Sequence, residues 1–589
     1  MTGNNGYRNG IKGALNHLLS RNVEWILSIP GSRLYKQFIQ ATRQVERTQA
    51  ALLADILQYG GDTVYGREHR FNTIRNYRDY REHVPVNDYE ALRPYVNRHI
   101  QGETDVLFPG KPLMYNRSSG TTALPKLIPV TPYDFERTIK NRGKLWLYGL
   151  MRQFPGIFRG KDLTVVSPAV DGYTPDGTPF GSLSGLVYQN IPEFMKRVHT
   201  IPYSVVTIPD YETRTYISLR SAIACDVTML LTVNPGTILN LVTRADQWKT
   251  DLIRDIHDGS VRNDLNIEPE IRAQIEMMFK PDHRRAAQLE KLAQQRGVLR
   301  PADYWPNLRL IHTWKNGNCA LMLPKLKPWF HPDTPILDFG YLASEIMATD
   351  LVDPATDGSI LQVRSGFYEF TRFEEGDNPE RRFLLAHELD VGAQYYLYVT
   401  TFSGLYRYDM NDVVEVVGKF NETPILKFLF KGKGITSIQG EKLSEKQCIQ
   451  AVHQAALATG LRHEFFVGYA DAEQQRYLLY IEFSEDYTES LRTRFTDAVD
   501  RALMDINIEY EAKRKSDRLR PLTVVAVGKN FFERYKLLRL AEGAHEGQFK
   551  WQNLTALQRV KQQLDQLAID HPPCYGIASA HIDRYEAVN

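Results

Sequence analysis

Ser118-Ser119-Gly120-Thr121-Thr122-Ala123-Leu124-Pro125-Lys126 lies between two short apolar runs, Leu113-Met114-Tyr115 and Leu127-Ile128-Pro129-Val130. Both runs read as strands, so the stretch is a loop joining them. Four hydroxyls, a glycine and a lysine can wrap a polyphosphate. Hydroxyl and backbone N–H groups donate to phosphate oxygens, and the ammonium neutralises their charge. It is not a Walker A loop, because no G-x-x-x-x-G-K-[ST] is present. A loop that ends in a strand also has no helix N-terminus to offer an anion. The same residues suit a Ser/Thr-rich hairpin turn equally well. The rest of the chain decides between the two.

The 589 residues allow one large domain and at least one smaller one. The net charge of +2 gives no reason to expect a nucleic-acid partner. Cys225, Cys319, Cys448 and Cys574 are scattered, without a C-x-x-C pair. That argues against a disulfide framework or zinc site and for a reducing compartment. No run of 18 apolar residues is present, and the first residues lack an apolar segment of signal-peptide length, so a cytoplasmic protein with no membrane span is expected.

Residues 10–110 read as mostly helical, with Leu52, Leu53, Ile56 and Leu57 at helical spacing before Gly60-Gly61. Between 130 and 260, helical pieces alternate with buried-strand candidates such as Leu163-Thr164-Val165-Val166 and Met229-Leu230-Leu231-Thr232-Val233, a pattern of α/β folds. A helix is expected over 282–296, stopped by Gly297. Strands are expected from Trp305 to Ile311, at 336–339, at 366–370 and from 395 to 401. The run Phe428-Leu429-Phe430-Lys431-Gly432-Lys433-Gly434 suits a hinge. Beyond it, Ser444 and Gln447 form a capping-box pattern opening a helix. Strands at 465–469, 477–483 and 522–527, an amphipathic helix carrying Leu491, Phe495, Val499 and Leu503, and a last helix over 554–568 complete a small α+β unit.

Five motifs follow in order: the hydroxyl-rich loop, Tyr341-Leu342-Ala343-Ser344-Glu345, Phe367-Tyr368-Glu369-Phe370, Gly404-Leu405-Tyr406-Arg407-Tyr408 with Asp412 close behind, and the hinge with its small domain. With Tyr89-Glu90 to Arg98, Trp305-Pro306-Asn307-Leu308 and Gly547-Gln548-Phe549-Lys550, this order resembles the GH3 acyl-acid amido synthetases, a branch of the adenylate-forming enzymes. The resemblance runs along most of the chain. It implies a large multi-sheet adenylation domain over 1–427, a hinge at 428–434 and a small mobile domain over 435–589.

The activity implied by the resemblance has two steps. A small carboxylic acid and MgATP give an acyl-adenylate and pyrophosphate. The amine of an amino acid then attacks, giving an amide and AMP. Carboxylate oxygen leaves poorly and AMP leaves well, so the protein's task is positioning and charge stabilisation. By the same resemblance Ser118, Ser119, Gly120, Thr121 and Thr122 cradle phosphates, and Lys126 either adds charge to that loop or makes a surface salt bridge. Tyr341 lies against adenine. Ser344 and Glu345 approach the phosphates and Mg²⁺, although Glu345 could instead cap a helix. Asp412 takes the ribose hydroxyls, unless it is a surface-turn residue. Arg407 either joins the nucleotide site or pairs, buried, with Glu369 or Glu415. Lys442 and Lys550 reach the nucleotide when the small domain rotates. Trp314 and Gly317 wall the acyl pocket or serve packing alone.

The chain departs from the family pattern at Ala123, Ile346, Asp409 and Asn411, where glycine, glycine, arginine and glycine are usual. Ala123 would make a left-handed backbone costly, whereas Asn411 can tolerate one. These changes suggest a divergent, bacterial member. Two alternatives share the pattern: an acid–thiol ligase making acyl-CoA, and an inactive nucleotide-binding scaffold.

Overall fold

A computed structural model describes residues 23–117, 126–353, 358–375, 378, 380–436, 438, 441, 443–515, 519–542 and 551–570. The described chain forms two compact units that divide between Leu429 and Phe430.

The large unit is α/β and holds three sheets. One is parallel, in the order Lys161–Thr164, Val227–Leu231, Leu310–His312, Ile336–Leu337. Its apolar strands are flanked by amphipathic helices such as Tyr211–Ile223 and Pro235–Gln247, and Leu163, Leu230, Ile311, Ile238 and Leu241 share one core. Such strands need cover on both faces, which explains their continuous apolar runs. A seven-stranded sheet, led by Phe367–Arg372, Gln394–Thr400, Tyr408–Phe420 and Thr423–Lys431, forms a second core with the helices Val45–Gly60 and Tyr89–Ile100. The third sheet contains the strands flanking the hydroxyl-rich loop. Met114–Arg117 pairs antiparallel with Leu127–Val130, with Arg117 opposite Leu127, and parallel with Pro179–Gly181.

In the small unit, Thr523–Val527, Arg476–Phe483, His463–Asp471 and Leu554–Thr555 form a four-stranded sheet. Glu445–Thr459 and Glu489–Ile506 cover one face; Phe531–Ala541 and Gln558–Asp570 cover the other. The capping box at Ser444 is complete. Its hydroxyl accepts from Gln447 N, and Gln447 accepts from Ser444 N.

Two expected elements are corrected. The strand expected from Trp305 begins only at Leu310, because the Trp305 indole donates to the Ala222 carbonyl (3.0 Å) and its backbone closes a short helix. The helix expected from 554 begins at Gln558, because Leu554 and Thr555 pair as a strand with Gly468 and Tyr469. The first 22 residues lie outside the described ones.

Candidate functional site

In open α/β sheets, ligands bind beyond the carboxyl ends of the strands. At the end of Ile336–Leu337, the Asp338 carboxylate accepts from Lys315 N (2.6 Å) and Gly340 N (2.8 Å) and fixes a bend. Gly340 has φ +74°, and a Cβ there would lie 2.5 Å from Thr349 Oγ1 and 2.7 Å from Ser359 Oγ, so only glycine fits. Tyr341 N then donates to Thr349 Oγ1 (2.7 Å). Leu342 bridges to Met347, and Ala343 N donates to Ile346 O (2.9 Å). Ser344 and Glu345 therefore stand at the tip of a tight turn, and Glu345 caps no helix. Ile346 is buried and fills the space over Gly366, where an added Cβ would meet its Cδ1 at 2.7 Å.

Asp412 is positioned by a bulge. Tyr396 faces Val413 and Tyr398 faces Asp409, so the pairing slips and residues 410–412 are thrown out of the ladder. Asn411 takes φ +50°, and its N–H is held by the Asp409 carboxylate (2.7 Å). Asparagine tolerates this conformation better than most residues, so the glycine usual there is dispensable. Asp412 is 1% exposed, which sets aside the surface-turn reading. It accepts a hydrogen bond from the Tyr341 phenol. Burial, followed by the charges of Asp412 and Glu345, holds that phenol well above its usual pKa, so it remains a donor.

Lys126 Nζ donates to the Tyr408 hydroxyl (3.1 Å) and lies 5.7 Å from the ring centres of both Tyr89 and Tyr408. Such ring faces attract a cation. Burial and then the Glu345 charge raise the Tyr408 pKa. Tyr408 is thus bonded to Lys126 and feels the Glu345 charge, as Tyr341 is bonded to Asp412 and feels the same charge. The structure brings Lys126, Tyr341, Ser344, Glu345 and Asp412 into one cluster. Ser118, Ser119, Gly120, Thr121 and Thr122 lie outside the described residues, as do Ala123, Lys442 and Lys550. The strands on either side of residues 118–125 pair as far as Arg117 and Leu127, the latter adjoining Lys126 of the cluster.

The chain matches the GH3 family N-terminal domain over residues 34–336, the central domain over 359–431 and the C-terminal domain over 446–558. The chain belongs to the GH3 family. Among its relatives are a jasmonoyl-L-amino acid synthetase of Nicotiana attenuata (25% identical; 87% of this chain, 92% of the relative) and the indole-3-acetic acid-amido synthetase GH3.3 of Arabidopsis thaliana (24%; 89% and 92%). Its fold matches that of the GH3.15 acyl acid amido synthetase, with a TM-score of 0.79 at 23% identity, over 90% of this chain and 94% of that one.

In this GH3 chain Arg407 is buried against Glu369. Nε lies 3.0 Å from both carboxylate oxygens, and Nη1 donates to the Val84 carbonyl (2.9 Å). Of the alternatives read from sequence, the structure displays the ion pair with Glu369. Tyr77 donates to the same carboxylate (2.8 Å). Arg407 therefore supports the segment that presents Asp412 from within the core. Gly317, at φ +59°, packs closely on Phe428, where an added Cβ would lie 3.1 Å from Cε1, and the Phe428 ring centre is 6.1 Å from that of Tyr341. Trp314 N donates to the Val233 carbonyl (2.9 Å), just beyond the strand Val227–Leu231.

Several residues that build this candidate site were given no role from sequence. Asn87 donates to the Tyr65 hydroxyl (2.8 Å) and the Tyr406 carbonyl (2.7 Å) and exchanges backbone bonds with Arg407 and Asp409. The Tyr89 hydroxyl accepts from Leu127 N (2.8 Å). Asn116 connects three segments. The one available signal was an amide directly after the apolar run Leu113-Met114-Tyr115.

In the small unit, Glu441 accepts from the Tyr477 hydroxyl (2.5 Å) and Ile438 N (2.6 Å). Glu445 accepts from Asn553 N.

Among the described residues, no three His, Cys, Asp or Glu side chains group to hold a metal, and no helix is long and apolar enough to cross a membrane.

Proposed function

We propose that this chain adenylates a small carboxylic acid with ATP and transfers the acyl group to an amino acid, releasing AMP. The observation that carries this is the convergence of Lys126, Glu345 and Asp412 through two buried phenols. The donor set fits the nucleotide. A buried carboxylate suits a ribose diol, a half-buried ammonium suits phosphate oxygens, and a second carboxylate suits a cation shared with them.

In this reading Asp412 accepts from the ribose hydroxyls, and Tyr341 sets the carboxylate's orientation and borders adenine. Ser118, Ser119, Gly120, Thr121, Thr122 and Lys126 hold the phosphates, with Ser344 at the adjoining turn. Glu345 would hold Mg²⁺ together with phosphate oxygens, and that ion would neutralise charge developing on the departing pyrophosphate. Arg407 acts indirectly, by supporting the Asp412 segment. The acid binds in a pocket walled by Trp314 and Gly317. Its carboxylate attacks the α-phosphorus, and the resulting mixed anhydride is open to an amine. Residues 428–434 serve as the hinge that lets Lys442 and Lys550 of the mobile 435–589 domain serve the two half-reactions in turn. A cytoplasmic location completes the proposal.

Acid-dependent exchange of pyrophosphate into ATP, over a panel of aryl and alkyl acids, tests the first step. Amino acids or CoA are then added and the products weighed by mass spectrometry. An amide supports the proposal, a thioester without amide transfers the chain to the ligases, and no exchange with any acid favours a scaffold.

A further inference from the structure

The side chain of Asn116 lies one residue inside the closing pair of the loop hairpin and is 3% exposed. Its Nδ2 donates to the Ser344 carbonyl (3.1 Å), and its Oδ1 accepts from Leu183 N (3.0 Å). These contacts assign the amide's orientation uniquely, since one partner is an acceptor and the other a donor. One side chain therefore ties the strand leading into the hydroxyl-rich loop to the Ser344–Glu345 turn and to the first turn of the helix Leu183–Gln189. That helix is itself fixed, because Gly185 packs so closely on residues 167–169 that an added Cβ would lie 2.4 Å from backbone atoms.

We propose that Asn116 is a positioning residue that sets the spacing between Arg117, the strand end leading into the hydroxyl-rich loop, and Glu345. The proposal rests on the nucleotide reading above. A triphosphate gripped by the loop and a cation held by Glu345 must share oxygens, so an error of about an ångström between the two segments weakens both. No other side chain of this size supplies the pair of bonds without first taking up a proton. Leucine supplies neither. Aspartate can accept from Leu183 N, but its carboxylate opposes the Ser344 carbonyl until it is protonated.

Calorimetric titration with the magnesium complex of adenylyl imidodiphosphate, and separately with AMP, tests this. AMP engages the Tyr341–Asp412 end alone. In Asn116→Leu the triphosphate analogue is expected to bind at least tenfold more weakly, with AMP affinity within twofold of wild type. In Asn116→Asp the loss is expected to shrink as pH falls from 8 to 6, because burial raises the carboxyl pKa and the protonated acid can donate to Ser344. The aspartate variant also keeps the test decisive if the leucine variant does not fold. Analogue affinity unchanged in either variant overturns the proposal. So does a parallel loss of analogue and AMP affinity with a lowered unfolding temperature. A wild-type protein that binds AMP but no triphosphate analogue, or binds neither, overturns the nucleotide reading itself.

Discussion

The Tyr341 phenol donates to the Asp412 carboxylate across 71 residues of sequence, and both groups are buried. Two motifs assigned separately to adenine and to ribose are thus oriented on each other. If Asp412 binds the ribose, Asp412→Ala should weaken ATP binding by ten- to a hundredfold, since charge-assisted hydrogen bonds contribute about 1.5–3 kcal/mol. Titration with ATP and with 2′,3′-dideoxy-ATP checks the cause. Wild type should prefer ATP and the variant should not. A variant that keeps the preference removes Asp412 from the ribose.

Arg407 and Glu369 form an ion pair whose side chains are 5% and 1% exposed. Arg407→Ala leaves a buried carboxylate uncompensated and should cost about 3–5 kcal/mol of stability. The double change Arg407→Met with Glu369→Met should cost much less. Denaturant unfolding of the variants checks this. Equal losses in the single and double variants would show that the pairing is not what matters at this position.

Gly143 and Gly185 both lie in helices but differ in surroundings. An added Cβ at Gly143 meets nothing within 4 Å, whereas at Gly185 it meets Ala169 N and Ser167 O at 2.4 Å. Gly143→Ala should raise stability by up to about 1 kcal/mol through helix propensity. Gly185→Ala should lower it and weaken nucleotide binding, because the Asn116 anchor moves with the helix. Thermal unfolding of both variants checks the opposite signs.

What could be read in advance followed from the range of each interaction. The capping box at Ser444 involves residues three apart, and the buried strands around Leu163 and Met229 announce themselves by composition. The motif order picked out Tyr341, Glu345 and Asp412 as candidate site residues, and the structure shows how the segments that carry them are held. The contacts of Asn116 span 67 and 228 residues, so no local pattern could reveal them. The strand expected from Trp305 failed for a related reason. Apolar runs specify burial, but the indole's bond to Ala222 decides how that residue is used.

His99 and His312 are buried neutral. Desolvation lowers His99 to about 4 and His312 to about 3. The unfolded chain binds these protons near pH 6.5 and the folded chain does not, so their effect is absent above pH 7 and grows as pH falls. Near pH 5.5 each should remove about 1.2 kcal/mol of stability per pH unit. Urea unfolding between pH 7.5 and 5 should show this slope, and His99→Gln should reduce it by one proton's share. A slope identical in variant and wild type would show that His99 gains no proton on unfolding.

Glu345 stands at a turn tip, its charge felt by Tyr408 and Tyr341, with Ser344 anchored by Asn116. If its carboxylate serves a cation shared with phosphate oxygens, replacing it by an uncharged isostere has opposite effects with and without that cation. Without Mg²⁺ the carboxylate and the triphosphate repel, by an amount on the order of a few kcal/mol at an effective dielectric near 20. Glu345→Gln should therefore bind metal-free ATP at least as tightly as wild type. With Mg²⁺ the variant loses a ligand, so the concentration giving half-maximal pyrophosphate exchange should rise tenfold or more. Calorimetry in chelator and a Mg²⁺ titration of exchange measure the two arms. A general loss of folding would weaken both, whereas a cation ligand predicts a change of sign between them. An unaltered Mg²⁺ requirement would take the metal away from Glu345.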